Sequence, residues 1–311
     1  MTRPRRPNRR PRSRGMVLGV LALVVAAVLA AHELIPEKYG LALIVDSSLP
    51  WLAVPILLIA FVALFRRSIT AWAGILIAAL VWSYFFVPQL VDHSGTGSVS
   101  MTVATENVEA RRPLPTKTSN SVIDTGADIV TLQEVTSKSG DIIDRVMGEH
   151  YPYHVSSGTV GVWSKYPLSG VRQLKLGLSW SQSLSVTAAA PGGPVRIYAA
   201  HLPSVRVGRD AQRNRAVTEL SRIIADDSSD RIILAGDLNT ATTDRRFTEL
   251  TDQLKDSRQS TGGGFGFTWP ARLPVTRPDH VLVRGFGVVS DQVMDRGSSD
   301  HRGVVVKLTS D

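Results

Sequence analysis

Hydrophobic residues are distributed very unevenly along this chain. Three nearly uninterrupted apolar runs lie before residue 92, at residues 16–35, 49–65 and 69–90. Each run is long enough for a helix that crosses a hydrocarbon core of about 30 Å. We therefore predict three transmembrane helices within residues 16–90. A basic, disordered arm at residues 1–15 is predicted to precede them, and a short linker at residues 91–97 to follow them.

Basic residues flank the apolar runs asymmetrically. Seven arginines precede residue 16 and two more occupy residues 66–67, whereas Glu33 near the end of the first run and Glu37 and Asp46 in the connection to the second are accompanied only by Lys38. The positive-inside rule places the arm and the turn at residues 66–67 in the cytoplasm. With three crossings, the rest of the chain is then expected on the extracytoplasmic side of the plasma membrane.

Two alternatives bear on this topology. If the first run were a cleaved signal peptide, the orientation would not change. The second run is short and contains Pro50 and Pro55. Residues 41–45 could lengthen it, but if it failed to span, the domain would face the cytoplasm.

From residue 98 onward, short runs rich in Val and Ile alternate with turn residues, a pattern typical of β-strands. Helical spacing at residues 207–227 predicts an amphipathic helix, and residues 122–126 and 142–147 predict two shorter ones. Strands are predicted at residues 99–104, 128–134, 160–164, 184–190, 195–200, 231–235, 280–284, 288–293 and 303–308. We therefore predict an α/β domain at residues 98–311.

Charge and composition narrow the function classes. Ten of the 35 basic and three of the 27 acidic residues precede residue 92, which leaves 25 and 24 for the remainder. The sequence pI near 10 therefore reflects the membrane-proximal part rather than a broad basic surface for nucleic acid. The absence of cysteine excludes thiolate nucleophiles and cysteine-ligated metal sites.

Four polar motifs stand next to predicted strands, where side chains from different strands can meet at a shared rim. Taken singly, each has a structural explanation, such as an Asx turn between Asp237 and Asn239. The motifs are Leu132-Gln133-Glu134, Gly236-Asp237-Leu238-Asn239, Pro278-Asp279-His280 and Ser299-Asp300-His301.

In this order, the motifs resemble those of the endonuclease/exonuclease/phosphatase superfamily, which includes pancreatic-type deoxyribonucleases, apurinic endonucleases, neutral sphingomyelinases and inositol polyphosphate 5-phosphatases. The resemblance extends over about residues 99–308. Further matching segments are Thr105-Glu106-Asn107-Val108, residues 161–168, His201-Leu202 and the aromatic segment at residues 266–270. The resemblance implies a four-layer α/β sandwich, two packed mixed sheets flanked by helices, and a hydrolase that acts on phosphate esters.

The resemblance also implies a divalent cation, Mg²⁺ by preference and Mn²⁺ or Ca²⁺ as alternatives. Glu134 and Asp300 are its expected ligands, because Mg²⁺ takes oxygen donors and few carboxylates. Some family members place an Asp two residues after the N-terminal Asn, and here that position is Glu109, whose longer side chain could still reach the ion.

Two assignments of the proton-transfer groups remain open. His301 could be the general base, with Asp279 orienting its ring. Alternatively, as is argued for the family, the histidine binds phosphate and an aspartate activates water. The implied role of Asp237 is to orient water or assist the leaving group, while Asn107, Asn239 and His201 would hydrogen-bond the phosphoryl oxygens.

The sequence leaves the substrate open among nucleic acid, phospholipid and small phosphorylated molecules. Arg206 and Arg209, together with Arg213 and Arg215, could bind phosphate or form a solvated helix face. Trp269 could contact substrate or simply pack. A catalytically silent binding or scaffold domain, tethered to the bilayer, is the alternative to an enzyme.

Overall fold

The computed structural model describes residues 15–37, 40–111, 114–204 and 210–310. The predicted arm, apart from Gly15, and both Arg206 and Arg209 lie outside these residues. The chain divides into two compact units, which are described separately. The first comprises Met1–Pro36 and Ser48–Pro88, and the second comprises Glu37–Ser47 and Gln89–Asp311.

Helices in the apolar part of the chain follow the predicted runs. They are α1 (Met16–Ala31), α2 (Leu41–Ser48), α3 (Ala53–Leu64) and α4 (Ile69–Leu90), with 3-10 turns at His32–Leu34 and Leu49–Leu52. Within the described residues, three segments are long and apolar enough to cross a membrane: Met16–Leu34, Leu41–Leu64 and Ile69–Leu90. Pro50 and Pro55 do not interrupt this pattern, since Pro50 lies in a 3-10 turn and Pro55 in the first turn of α3, where amide hydrogens have no helical partner.

Small residues bring α1 and α4 together inside the first unit. A Cβ added to Gly74 would lie 2.6 Å from the carbonyl oxygen of Gly19, and one added to Gly19 would lie 2.7 Å from that of Thr70. Backbones this close are typical of helix pairs in membranes, where small residues permit contact over a large area.

The second unit contains a sheet of six strands in the order β11-β12-β1-β2-β4-β3. Strands β1 and β2 are parallel, and the other neighbours are antiparallel. The bounds are β1 (Met101–Asn107), β2 (Ile129–Gln133), β3 (Tyr153–Ser157), β4 (Val160–Ser164), β11 (Phe286–Val293) and β12 (Val304–Ser310).

A second six-stranded sheet has the order β5-β6-β7-β8-β10-β9. Among the described residues, β7 and β8 are the only parallel neighbours in this sheet, and its other neighbouring strands are antiparallel. The bounds are β5 (Leu168–Leu174), β6 (Ser183–Ala190), β7 (Gly193–His201), β8 (Ile232–Asp237), β9 (Lys255–Asp256) and β10 (Asp279–Arg284).

Three apolar layers hold this unit together. The central one joins both sheets, with Val103 and Val162 from one and Ile197 and Val281 from the other. A second layer lies between the β7–β8 sheet and the helices α7 (Asp210–Ala225) and α8 (Thr248–Thr251). A third lies between the β1–β2 sheet and α5 (Pro115–Ile123) and α6 (Ser137–Gly148). The short helix α9 (Ser257–Thr261) completes the described elements. The predicted four-layer α/β sandwich is therefore confirmed.

All nine predicted strands are present, but β3, β5 and β9 were not predicted. Each of these three is at an edge of its sheet, and β3 and β5 are mostly exposed. An exposed edge strand needs no apolar alternation, so its sequence carries a weak signal. The helix predicted at residues 122–126 is misplaced: α5 ends at Ile123, because Gly126 has a φ of +70° that suits a turn.

Strand directions bring the polar motifs to one edge of the sandwich. Asn107 ends β1 opposite Gln133, and His201 ends β7 opposite Asp237. Because β10 is antiparallel to β8, Asp279 at its start pairs with Asp237. The carboxyl ends of β1, β2, β7 and β8 thus meet the amino ends of β10 and β12.

Gly236 allows β8 to approach β7 at this edge. Its φ is +151°, and a Cβ there would lie 1.9 Å from the carbonyl oxygen of Ala200. Only glycine can occupy this position without displacing the strand that carries His201.

Candidate active site

His301 and Asp279 form a buried hydrogen-bonded pair. The Nδ1 atom of His301 lies 2.9 Å from Oδ2 of Asp279, which also accepts a 2.6 Å hydrogen bond from Oγ1 of Thr268. Ser299 holds the backbone by accepting a hydrogen bond from the His301 amide. These contacts direct Nε2 of His301 toward Asp237, whose Oδ2 lies 3.8 Å away.

Opposite pKa shifts accompany this pair. Burial lowers the pKa of His301, but the charge of Asp279 and its hydrogen bond outweigh burial and raise that pKa to about 10. Burial also opposes ionisation of Asp279, yet the charge of His301 and the hydrogen bonds from His301 and Thr268 lower its pKa. The ring is therefore an imidazolium at neutral pH, with a carboxylate behind it.

Asn107 connects the two other carboxylates of the site. Its Nδ2 donates to Oε1 of Glu134 at 3.2 Å and to Oδ2 of Asp237 at 3.0 Å. The side-chain oxygen Oδ1 of Asn107 accepts a 3.0 Å hydrogen bond from the Glu109 amide, which orients Nδ2 toward the acids. His201 completes this arrangement, with Nε2 at 3.9 Å from Glu134 and 3.8 Å from Asp237.

Glu134 and Asp237 differ in their protonation. Burial opposes ionisation of Glu134, but hydrogen bonds from the Ala110 amide and Asn107 and the charges of His201 and His301 lower its pKa. For Asp237, burial is the largest effect and, together with the charge of Asp279, raises the pKa despite His301 nearby. Glu134 is thus an anion, whereas Asp237 has the higher proton affinity.

The Asx turn considered from the sequence is present beside Asp237. Its Oδ1 accepts the amide of Asn239 at 3.0 Å, and Nδ2 of Asn239 donates to the carbonyl of Leu202 at 2.9 Å. Asn239 has a φ of +46°, a conformation that Asn tolerates well. The side chain of Asn239 therefore links β8 to the end of β7 and is engaged with the backbone.

Glu134 is the best-placed ligand for a divalent cation. It directly follows β2 with a φ of +61°, its side chain is 29% exposed, and its carboxylate is ionised, as a hard oxygen donor must be. Asp300 is exposed and its charge acts on His301. Among the described residues, Glu134, Asp300 and Glu109 do not converge as a group of three; Asp237, Asp279 and His301 do.

The close approach of Asp237, Asp279 and His301 has an explanation without a metal ion. The Nδ1 atom of His301 is already bonded to Asp279, and an imidazolium between two carboxylates accounts for the short distances. This group could hold a cation through Nε2 of His301 only after the ring had lost the Nε2 proton, whereas Nδ1 could keep its hydrogen bond to Asp279. Glu134, with its ionised and partly exposed carboxylate, is the residue that would hold a cation.

Two residues of the site were not anticipated from the sequence. Thr268 belongs to the recognised aromatic segment, in which only Trp269 was considered, and it is Thr268 that bonds Asp279. Ser299 begins the Ser-Asp-His motif, and its Oγ donates to the carbonyl of Asn107 at 2.6 Å. Trp269 is 40% exposed, with its backbone paired to Thr276, so it is not a core residue.

Comparison with known proteins places the chain in a family. Residues 106–301 match the family described as Endonuclease/Exonuclease/phosphatase family. The chain belongs to this family. Its members are phosphoester hydrolases, and the domain has their fold. Curated proteins yield no match to the sequence.

Solved structures share the fold at low sequence identity. An endonuclease/exonuclease/phosphatase from Beutenbergia cavernae is 20% identical, with a TM-score of 0.54 over 68% of this chain and 72% of that one. D. rerio TDP2 complexed with a single-strand DNA product is 14% identical, with a TM-score of 0.58 over 68% and 99%. A beta toxin mutant from Staphylococcus aureus with bound magnesium ions is 13% identical, with a TM-score of 0.53 over 67% and 99%.

Proposed function

We propose that this protein is a membrane-anchored, metal-dependent phosphoesterase. Residues 98–311 would be the catalytic domain, on the extracytoplasmic side, and residues 16–90 its anchor. The observation that carries the proposal is the His301–Asp279 pair facing Asp237 at 3.8 Å, with Asn107 joining Asp237 to Glu134. Phosphoester hydrolysis requires an activated water and positive groups around the phosphoryl oxygens.

A cation bound at Glu134 would supply charge stabilisation for the phosphoryl group and acidify water. Asp300 would assist from its exposed position, directly or through water, and Glu109 remains a third candidate. Mg²⁺ suits a site with one close carboxylate, and a neighbour of the same fold contains bound magnesium ions.

The proposed roles of the remaining residues follow from their charges. As an imidazolium, His301 donates from Nε2 to a phosphoryl oxygen, and Asp279 keeps the ring charged and oriented. Asp237, with its raised pKa, is the group that accepts a proton from the attacking water. Of the two assignments open from the sequence, the electrostatics favour the one with an aspartate base and a phosphate-binding histidine.

Asn107 and His201 contribute further donors at the phosphoryl group. Both lie beside Asp237 and Glu134, so a phosphate between these acids and His301 would meet them. Asn239 would need to release Leu202 before it could donate. The proposed donors are therefore Asn107, His201 and His301, and Asn239 is proposed to hold the Asp237 turn and to contact phosphate only after that release.

The residues of the site support a phosphate ester as the substrate but do not distinguish among the molecules that carry one. D. rerio TDP2 is complexed with a DNA product, yet here the domain carries nearly equal numbers of basic and acidic residues. Phospholipids and small phosphorylated molecules are thus equal candidates to nucleic acid. Arg206, Arg209 and the exposed Trp269 are the proposed contacts beyond the phosphate.

The test uses the full chain purified in detergent. Hydrolysis of bis(p-nitrophenyl) phosphate and p-nitrophenyl phosphate is measured with Mg²⁺, Mn²⁺, Ca²⁺ or EDTA, followed by DNA, RNA, phospholipid and sugar phosphate. We expect cation-dependent hydrolysis that His301→Gln abolishes and Glu219→Gln preserves, since Glu219 is a half-exposed residue of α7 whose ion pair is with Arg222 on the same helix. Lack of hydrolysis under every condition would refute the proposal and favour a binding domain.

A further inference from the structure

The connection between the first two apolar segments belongs to the compact unit that contains the family domain. Residues Glu37–Ser47, here named the docking segment, group with Gln89–Asp311 rather than with their neighbours in sequence. Helix α2 begins within this segment and buries Ala42, Leu43 and Asp46. A stretch that composition assigns to a membrane helix is therefore packed as part of the domain.

Asp46 is the principal anchor of the docking segment. Its carboxylate accepts Nε of Arg245 at 2.8 Å, Nη2 at 3.0 Å and the Arg245 amide at 3.1 Å. Its backbone carbonyl accepts Oγ1 of Thr243 at 2.6 Å. The side chain of Asp46 is 1% exposed, so this two-pronged ion pair is shielded from water and specific in geometry.

A second ion pair lies near the start of the docking segment. Glu37 accepts Nη2 of Arg246 at 2.8 Å and Nδ2 of Asn214, on α7, at 3.1 Å. The hydrogen bond and charge of Arg246 lower the pKa of Glu37 despite partial burial. Two consecutive arginines thus bind two acids from the same connection.

These arginines are linked to the turn that carries Asp237 through their neighbour Asp244 and the buried side chains of Arg213 and Thr240. Asp244, next to Arg245, pairs with Arg213 at 2.6 Å, and both side chains are 2% exposed. Nη1 of Arg213 also donates to Oγ1 of Thr240, which donates to the carbonyl of Leu238. A continuous set of buried contacts runs from the docking segment to the residue between Asp237 and Asn239.

We propose that the docking segment is a positioning element of the catalytic site, with Asp46 and Glu37 holding residues 243–246 and, through Arg213 and Thr240, the turn that presents Asp237. The catalytic part of this inference rests on the proposed function. Its topological part does not: an ion pair cannot form through a bilayer, so the docking segment and the domain lie on the same face. The second and third apolar segments then both cross the membrane or both fail to cross.

Site-directed labelling tests the topological part without any activity. The chain has no cysteine, so each introduced thiol is unique. Leu41→Cys in the docking segment and Leu273→Cys in the domain are 52% and 73% exposed. A membrane-impermeant maleimide applied to intact cells should label both, and should label Arg66→Cys only after permeabilisation. If one of Leu41→Cys and Leu273→Cys is labelled in intact cells and the other only after permeabilisation, the inference is wrong.

Charge reversal tests the positioning part. In the full chain, Asp46→Arg or Arg245→Asp should lower kcat about tenfold or more with little change in KM, as a displaced catalytic group does. The double reversal should recover most of the loss. The matched control reverses the exposed pair of Glu219 and Arg222 and should leave kcat unchanged. Unaltered kcat in both folded single variants would overturn the proposal.

A third measurement keeps the outcomes separable. Hydrogen exchange of the backbone amides at residues 238–246 should accelerate in Asp46→Arg and return toward the native rate in the double reversal, whatever the enzyme's activity. If Asp46→Arg does not fold, Glu37→Gln, at a half-exposed ion pair, is the milder variant. Absence of hydrolysis by the unmodified chain would defeat the proposed function alone, whereas unchanged exchange in the folded variants would defeat the positioning role.

Discussion

His301 and Asp279 are 22 residues apart in sequence and share a 2.9 Å hydrogen bond within the sandwich. Asp279 begins β10 in one sheet, and His301 precedes β12 in the other. The pair therefore bridges the two sheets at the edge where the polar motifs meet. Its formation depends on correct packing of both sheets, so it links the integrity of the fold to the chemistry.

Replacing Asp279 by Asn should remove the charge that keeps His301 protonated while preserving shape. We expect kcat to fall about 100-fold or more, by analogy with other carboxylate–histidine pairs. The measurement is steady-state hydrolysis of an activated phosphodiester. Thr268→Val, which removes only the hydrogen bond to Asp279, should cause a smaller decrease; equal effects would contradict a charge-based role.

The pH dependence of stability should report on His301. Its pKa in the folded protein is about 10, above the ordinary value of 6.5. The stabilisation that protonated His301 gives the folded protein is thus fully present below its pKa in the unfolded chain. It is lost as the pH rises from about 6.5 through about 10. Unfolding of the full chain in detergent, followed by tryptophan fluorescence, should show this decrease, and His301→Gln should flatten it. A variant with the same slope as the parent would exclude His301 as its source.

Glu134→Gln should abolish cation-dependent activity. The substitution keeps the size of the side chain and removes the charge that a divalent cation requires, and we expect a decrease in rate of about 100-fold or more. The unmodified chain should gain thermal stability on addition of Mg²⁺ or Mn²⁺, and Glu134→Gln should not. If Mg²⁺ or Mn²⁺ still stabilised Glu134→Gln, the cation would bind at other residues, and Asp237 and Asp279 would be the first to test.

Gly236→Ala should destabilise the domain. The new methyl group would lie 1.9 Å from the Ala200 carbonyl, and the φ of +151° is unfavourable for alanine. We expect a loss of about 2 kcal/mol or more in the free energy of unfolding, measured by denaturant titration. Gly148→Ala, at a helical position with open space around the added Cβ, is the control and should be neutral or slightly stabilising.

Much of the site could be anticipated because it depends on local sequence. Asn107, Glu134, His201 and Asp237 stand at strand ends that short apolar runs define, and strand direction alone brings such ends together. The contacts of Asp46 and Glu37 with Arg245 and Arg246 could not be anticipated. They join residues about 200 positions apart, and an acidic residue near an apolar run has no local feature that identifies its partner.

The sequence by itself determined the three apolar segments, the order of the strands along the chain and the identity of the polar motifs, because periodicity and residue type are local properties. Only the tertiary structure decided which role each motif can take. It buries Asp279 beside His301 and so makes the ring a cation, and it leaves Glu134 partly exposed and ionised. Protonation depends on burial and on neighbouring charges from distant strands, and those neighbours exist only once both sheets have packed.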